Sequence, residues 1–196
     1  MKIILMGQQA FGKSTLEKFH KETDHEIVAV YCAPDKEGKP LDPVKEYAVS
    51  ENLPVFQPSN FKDKEVLEQI KSHNADLCVM AYVIIFVPEE ARNIPKHGSI
   101  CFHPSLLPLH RGPSSINWPI IQGDKKTGLT IFYPNDKFDE GDILLQKEVE
   151  INPDDTLGDI YFSKIFPLGV NLCVEAANLK SDGRVTKITQ DESKAS

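Results

Sequence analysis

The apolar positions fall into short runs of strand length that alternate with stretches of helical spacing. Lys2 to Met6 reads as a buried parallel strand, followed by a glycine-containing turn and a helix over about Phe11 to Lys21. Glu26 to Cys32 forms a second strand run. Pro43 to Asn52 has helical spacing, with Val44, Tyr47 and Ala48 on one face. Val55-Phe56 is a short strand, and Lys62 to His73 is an amphipathic helix with Val66, Leu67 and Ile70 inward. Leu77 to Met80 is another buried strand and runs into the apolar segment Ala81 to Val87, before a short helix from Pro88. Ser99 to Phe102 is a strand, Ser114 to Gln122 a helix carrying Trp118 as a core anchor, and Leu129 to Tyr133 a strand. Ile143 to Ile151 alternates as a half-exposed strand does. Asp155 to Leu179 is a long helical stretch that Pro167 should kink or break. From Thr189 the chain is polar, which predicts a disordered tail.

Strands alternating with helices predict an α/β fold with a mostly parallel, Rossmann-like sheet and helices on both faces. The later strands fit as antiparallel additions at one side. At 196 residues the chain is long enough for one domain with a real core, here residues 1–188, with 189–196 as the tail. The 40% hydrophobic and 26% charged fractions suit a soluble globular chain. No apolar run approaches membrane-spanning length, which predicts no membrane partner. A net charge of −7 repels phosphate backbones and argues against a nucleic-acid partner. Cys32, Cys78, Cys101 and Cys173 are scattered, with no C-x-x-C pair. That distribution suits core cysteines in a reducing cytoplasm and predicts no metal site.

Two segments carry candidate chemistry. The first is Gly7 to Ser14, which matches the phosphate-loop expression G-x-x-x-x-G-K-[ST] after a strand and before a helix. Read as such, Lys13 would meet the β/γ-phosphates and Ser14 would hold Mg²⁺. No apolar strand ending in a second Mg²⁺ carboxylate accompanies it, so a plain tight turn explains the same glycines. The second segment is Ser99 to Trp118, where a strand ends at His103 and Pro104, Pro108, Gly112 and Pro113 forbid regular structure. A rigid loop after a central strand is a usual place for chemistry in an open α/β sheet. His103 is the residue there that exchanges a proton near neutral pH. A buried histidine satisfied by a backbone carbonyl fits the same position.

The run His103-Pro104-Ser105-Leu106-Leu107-Pro108, followed by His110-Arg111-Gly112, resembles the signature loop of the formyltransferase family. Asp139-Glu140-Gly141-Asp142 resembles that family's Asp-x-Gly-Asp element. The whole chain is similar to members that act as folate hydrolase domains. The resemblance implies the formyltransferase fold and an enzyme that removes the formyl group of 10-formyltetrahydrofolate. His103 would be the acid or oxyanion partner, and Asp139 the orienting or base carboxylate. It implies a folate site beside Ile85, Phe86 and Val87, closed by Ser105, Leu106, Leu107 and Pro108, with Cys101 at the position where transferases carry an asparagine. It also implies a further C-terminal domain, absent after Ser196. The acceptor stays open between water, methionyl-tRNA, an amino-sugar and a carrier. A phosphate-loop protein and a weakly active folate-binding module remain as alternatives. His110 and Arg111 are secondary candidates, with Arg111 free to pair with a ligand carboxylate or with an acid of the protein.

Overall fold

A computed structural model describes all residues, 1–196. The chain divides into two compact units, Met1–Ile100 and Cys101–Ser196.

In the first unit, β1 (Lys2–Gly7), β2 (Glu26–Tyr31), β3 (Val55–Phe56) and β4 (Leu77–Ala81) pair in parallel, in the order β3-β2-β1-β4. Ile3, Ile4 and Leu5 of β1 and every residue of β4 are buried, as parallel strands covered on both faces require. The helices are α1 (Gln9–Glu22), α2 (Pro43–Ser50), α3 (Lys64–Ser72) and the single turn α4 (Glu89–Arg92). The predicted elements are all present, with ends shifted by no more than two residues.

Backbone proximity explains the glycines of the first turn. A Cβ on Gly7 would stand 2.5 Å from the Ala81 carbonyl oxygen, and one on Gly12 would stand 2.8 Å from Val44 Cγ2. These residues let α1 press against the strands beneath it. The start of α1 is already occupied by a carboxylate. Asp42 accepts from the Gln9 N–H through both oxygens, at 3.1 and 3.0 Å, and caps α2 by accepting from Val44 N–H at 2.9 Å. One side chain therefore satisfies the starts of two helices.

β5 (Ser99–His103) carries the chain into the second unit, where it pairs antiparallel with β6 (Lys126–Phe132), and β6 with β7 (Ile143–Glu150). The strands are thus parallel in the first unit and antiparallel in the second, in line with the expected parallel, Rossmann-like strands followed by antiparallel additions. Burial along β7 does not alternate cleanly: Ile143, Leu144 and Val149 are buried while Gln146 to Glu148 are exposed. The helix α5 spans only Asn117–Gln122, after a turn at Ser114 with φ +63°. Its buried residue is Pro119, so Trp118 is 48% exposed and is not the expected core anchor.

The last long helical run keeps going through Pro167. After α6 (Leu157–Ile160) comes a π-helical turn (Tyr161–Ile165), where Phe166 N–H bonds the Tyr161 carbonyl five residues back, and then α7 (Phe166–Ser181). Pro167 has no N–H, and its ring conflicts with the carbonyl four residues back in a regular helix. The wider turn just before it absorbs the conflict without breaking the run. By length and composition alone the run Leu157–Ser181 is apolar enough to cross a membrane, but half of its most apolar window is buried within the protein, as in a core helix. Leu172, Cys173, Ala176 and Ala177 are buried and α7 packs on β6 and β7, which makes it the core helix of this unit.

Replacing Gly7 with Ala forces the strand–helix junction apart, and we expect a loss of about 1–3 kcal/mol. Urea denaturation of the variant against wild type, at unchanged m-value, measures it.

Candidate active site

The segment after β5 is irregular, so side chains satisfy its backbone. The hydroxyl of Thr130, fully buried on β6, is the hub. It donates to the Ser105 carbonyl at 2.7 Å and accepts from Leu107 N–H at 3.2 Å and from Gln146 Nε2 at 2.9 Å. Gln146 Nε2 also donates to the Leu107 carbonyl at 2.9 Å. Ser105 turns its hydroxyl into the loop, donating to the Leu109 carbonyl at 2.6 Å, and is fully buried. It therefore does not form a nucleophile with His103. Leu107 anchors the loop in an apolar cluster with Phe132 and Ile143, and Cys101 packs against that cluster from β5. Leu106 lies over Gly128, where a Cβ would stand 2.4 Å from its Cδ2.

His103 ends β5 inside this frame. Its Nε2 donates to the His110 carbonyl at 2.9 Å, since a carbonyl only accepts. The opposite ring nitrogen, Nδ1, faces Asp139 Oδ2 at 3.4 Å. That oxygen also accepts from Gly112 N–H at 2.8 Å. With the Nε2 hydrogen committed, Nδ1 is the ring nitrogen left to face Oδ2. The two members differ in access: the His103 side chain is 9% exposed and that of Asp139 is 23% exposed. The imidazole is the deep partner and the carboxylate the one that meets solvent. Asp139 has φ +53° and His110 φ +55°, both in the left-handed region that disfavours side chains. Gly141 is required because a Cβ there would stand 1.6 Å from the Tyr133 carbonyl oxygen.

Sequence reasoning brought His103 and Asp139 forward, and the structure brings them together. It also collects residues that the sequence did not single out. Residues 189–196, expected to be disordered, pack along this loop. Ile188 bridges Ile143, and Thr189 donates to Asp142 Oδ1 at 3.0 Å. Gln190 and Glu192 hold Arg111, and Ser196 Oγ accepts from His110 N–H at 2.9 Å. Arg111 thus pairs with an acid of the protein in this structure. His110 Nε2 lies 3.4 Å from Asp124 Oδ2. Thr130 did carry a signal, as a hydroxyl inside the apolar run Leu129 to Phe132. Gln190 carried none, being one polar residue among many.

Within the first unit, Tyr82 to Val87 is an extended loop. Tyr82, Ile84 and Phe86 point outward, with Ile84 61% and Phe86 57% exposed. Val83 and Ile85 line a small pocket with Gly7, Gln8, Tyr31 and Phe61. The Val87 carbonyl accepts from Nη1 of the buried Arg92 at 2.7 Å. At the Gly7–Ser14 turn, the Asp42 carboxylate stands where a phosphate-loop reading needs a phosphate, and it repels one.

Residues 1–175 match the family model described as Formyl transferase. The chain is 45% identical over 195 residues to a cytosolic 10-formyltetrahydrofolate dehydrogenase from Xenopus tropicalis, covering 97% of this chain and 21% of that protein. It is 41% identical to a methionyl-tRNA formyltransferase from Fusobacterium nucleatum, covering 98% of this chain and 63% of that one. The chain therefore spans about a fifth of the length of the dehydrogenases it matches. Among solved structures it is similar to a formyltetrahydrofolate deformylase from Pseudomonas syringae, with a TM-score of 0.80 at 20% identity over 97% of this chain and 66% of that one. The architecture is the α/β formyltransferase fold.

Thr130→Val keeps the shape of the side chain and removes its hydroxyl, leaving the buried Leu107 N–H and Ser105 carbonyl without their partner. We expect a stability loss of about 1–3 kcal/mol, measured by urea denaturation against wild type.

Proposed function

The chain belongs to the formyl transferase family, and from that premise we propose that it removes the formyl group of 10-formyltetrahydrofolate and passes it to water. The reading is carried by the His103–Asp139 pair, 3.4 Å apart and held through the His110 carbonyl and the Gly112 N–H of one loop. The N10-formyl group is an amide-like electrophile. Asp139, the more exposed member, takes a proton from the attacking water. The water oxygen bonds to the formyl carbon, and the carbonyl oxygen gains the charge. The C–N10 bond then breaks as N10 takes that proton back from Asp139, whose carboxyl group His103 Nδ1 orients, and tetrahydrofolate and formic acid leave, the acid giving its proton to solvent as formate. A positioned acid and base each contribute about 10²–10⁴-fold to such a step.

Two features support water over a specific amine. Cys101 stands where the family resemblance implies an asparagine amide in transferases, and a thiol is a weak donor. Losing one oxyanion donor costs about 10²–10³-fold in rate. The net charge of −7 offers no electrostatic attraction to tRNA. Two of the similar proteins are named for 10-formyltetrahydrofolate dehydrogenation and formyltetrahydrofolate deformylation, which fits the same donor. The name of the first also supports a cytoplasmic location. In the first unit the loop Ile85-Phe86-Val87 is the folate-binding segment of this reading, and the outward ring of Phe86 suits a flat heterocycle. In the second unit Cys101 and the Ser105 to Pro108 loop have that role.

The test is release of tetrahydrofolate and formate from 10-formyltetrahydrofolate with no acceptor added. Wild type should turn over, and His103→Ala and Asp139→Ala should each lose at least about 10²-fold in kcat. Turnover that is indifferent to both substitutions overturns the assignment. Folate binding without turnover, even with methionyl-tRNA or an amino-sugar supplied, identifies a binding module instead.

A further inference from the structure

Gln190 is a buried polar side chain of this unit that the proposed reaction leaves unused. It is 5% exposed, in a stretch whose neighbours are otherwise exposed. Both amide hydrogens are committed, because Nε2 donates to the carbonyls of Asp139 and Gly141, each at 2.7 Å. Its Oε1 accepts from Arg111 Nε at 3.1 Å and from Nη2 at 2.8 Å. Glu192 grips the same guanidinium, with Oε1 2.7 Å from Nη2 and Oε2 3.0 Å from Nη1. A planar guanidinium held by two neighbours has no freedom to swing away.

The position of Arg111 in the chain gives this arrangement its meaning. The residue before it, His110, supplies the carbonyl that holds His103 Nε2. The residue after it, Gly112, supplies the N–H that holds Asp139 Oδ2. Gln190 therefore ties the loop that orients His103 to the loop that carries Asp139. It does so at the backbone of Asp139, which sits at φ +53°, a conformation that persists only where its surroundings impose it.

We infer that Gln190 is a positioning residue: its two bonds to the 139–141 backbone hold Asp139 in its left-handed turn and aim the carboxylate at His103 and Gly112. The inference rests on the deformylase reading for its kinetic consequence, not for its geometry. A residue that merely fastened the chain's last segment would lower stability without acting through Asp139.

The experiment compares wild type, Gln190→Leu, Gln190→Glu, Asp139→Ala and the double variant Gln190→Leu/Asp139→Ala. Gln190→Glu keeps an acceptor for Arg111 while removing the donors to both carbonyls, and it carries the same readouts where Gln190→Leu fails to fold. A misplacement on the order of 1 Å costs about 10²-fold, so kcat should fall about 10–100-fold while KM for 10-formyltetrahydrofolate stays within about two-fold. In the Asp139→Ala background the Gln190 substitution should change the residual rate by less than about two-fold, because the group it positions is gone. Amide hydrogen exchange at Gly112 should accelerate in the unliganded Gln190 variants. Equal rate losses with and without Asp139 overturn the inference, as does unchanged Gly112 exchange. Absence of turnover in wild type overturns the deformylase reading alone, and Gly112 exchange then decides the role of Gln190.

Discussion

An irregular loop brings backbone N–H and carbonyl groups into the protein without the ladder that a helix or strand would supply. Each must find a partner, and for the Ser105 carbonyl and the Leu107 N–H that partner is the hydroxyl of Thr130. The order of the site depends on that constraint. Thr130 fixes the loop to β6, Leu107 sinks into the Phe132–Ile143 cluster, and the chain then returns so that the His110 carbonyl reaches His103. A histidine held at one nitrogen by rigid backbone has one nitrogen left, in one direction. Preorganisation of this kind lowers the reorganisation required during reaction, which is where a fold contributes most to rate.

The arrangement divides labour between the two members of the pair. His103 is buried and oriented by backbone, while Asp139 is more exposed and tied by one N–H and by the ring itself. Burying both would have raised the cost of charge separation. Exposing both would have let water compete for the contact. The geometry at Asp139 is also strained, with a non-glycine residue at positive φ beside a glycine that admits no side chain. Such strain costs about 1–3 kcal/mol per residue and survives only when neighbours over-determine it.

Legibility in the sequence followed the range of the interaction. Strand runs such as Ile3 to Met6 and Leu77 to Met80 were readable because burial on both faces leaves a local signature. His103 stood out because prolines and glycine around it announced a loop, and family resemblance supplied Asp139. Trp118 is not legible as exposed because its exposure depends on where α5 begins, which the turn over residues 113–116, with Ser114 at positive φ, decides. Pro167 announces a kink or a break, and which of the two results is decided by the π turn before it, which has no sequence signature. The last eight residues looked disordered by composition, yet their polar side chains are what the Arg111 and Asp139 loops bind. Polar composition predicts disorder only where the rest of the chain offers no unsatisfied polar groups, and here it offers several.

The Gly7–Ser14 turn shows the same dependence from the other side. Its residues satisfy a phosphate-binding expression in the right strand–turn–helix context, so locally the reading is sound. Its glycines, however, are required by the Ala81 carbonyl and the Val44 side chain, and its helix start is already satisfied by Asp42. A phosphate there would have to displace a carboxylate that also caps α2, leaving the Val44 N–H without its partner. A helix N-terminus attracts whichever anion the fold brings to it, and in this chain the fold brings its own. The same logic that closes this turn to a phosphate keeps the Asp139 carboxylate in place, where Gly112 N–H donates to it and His103 Nδ1 faces it.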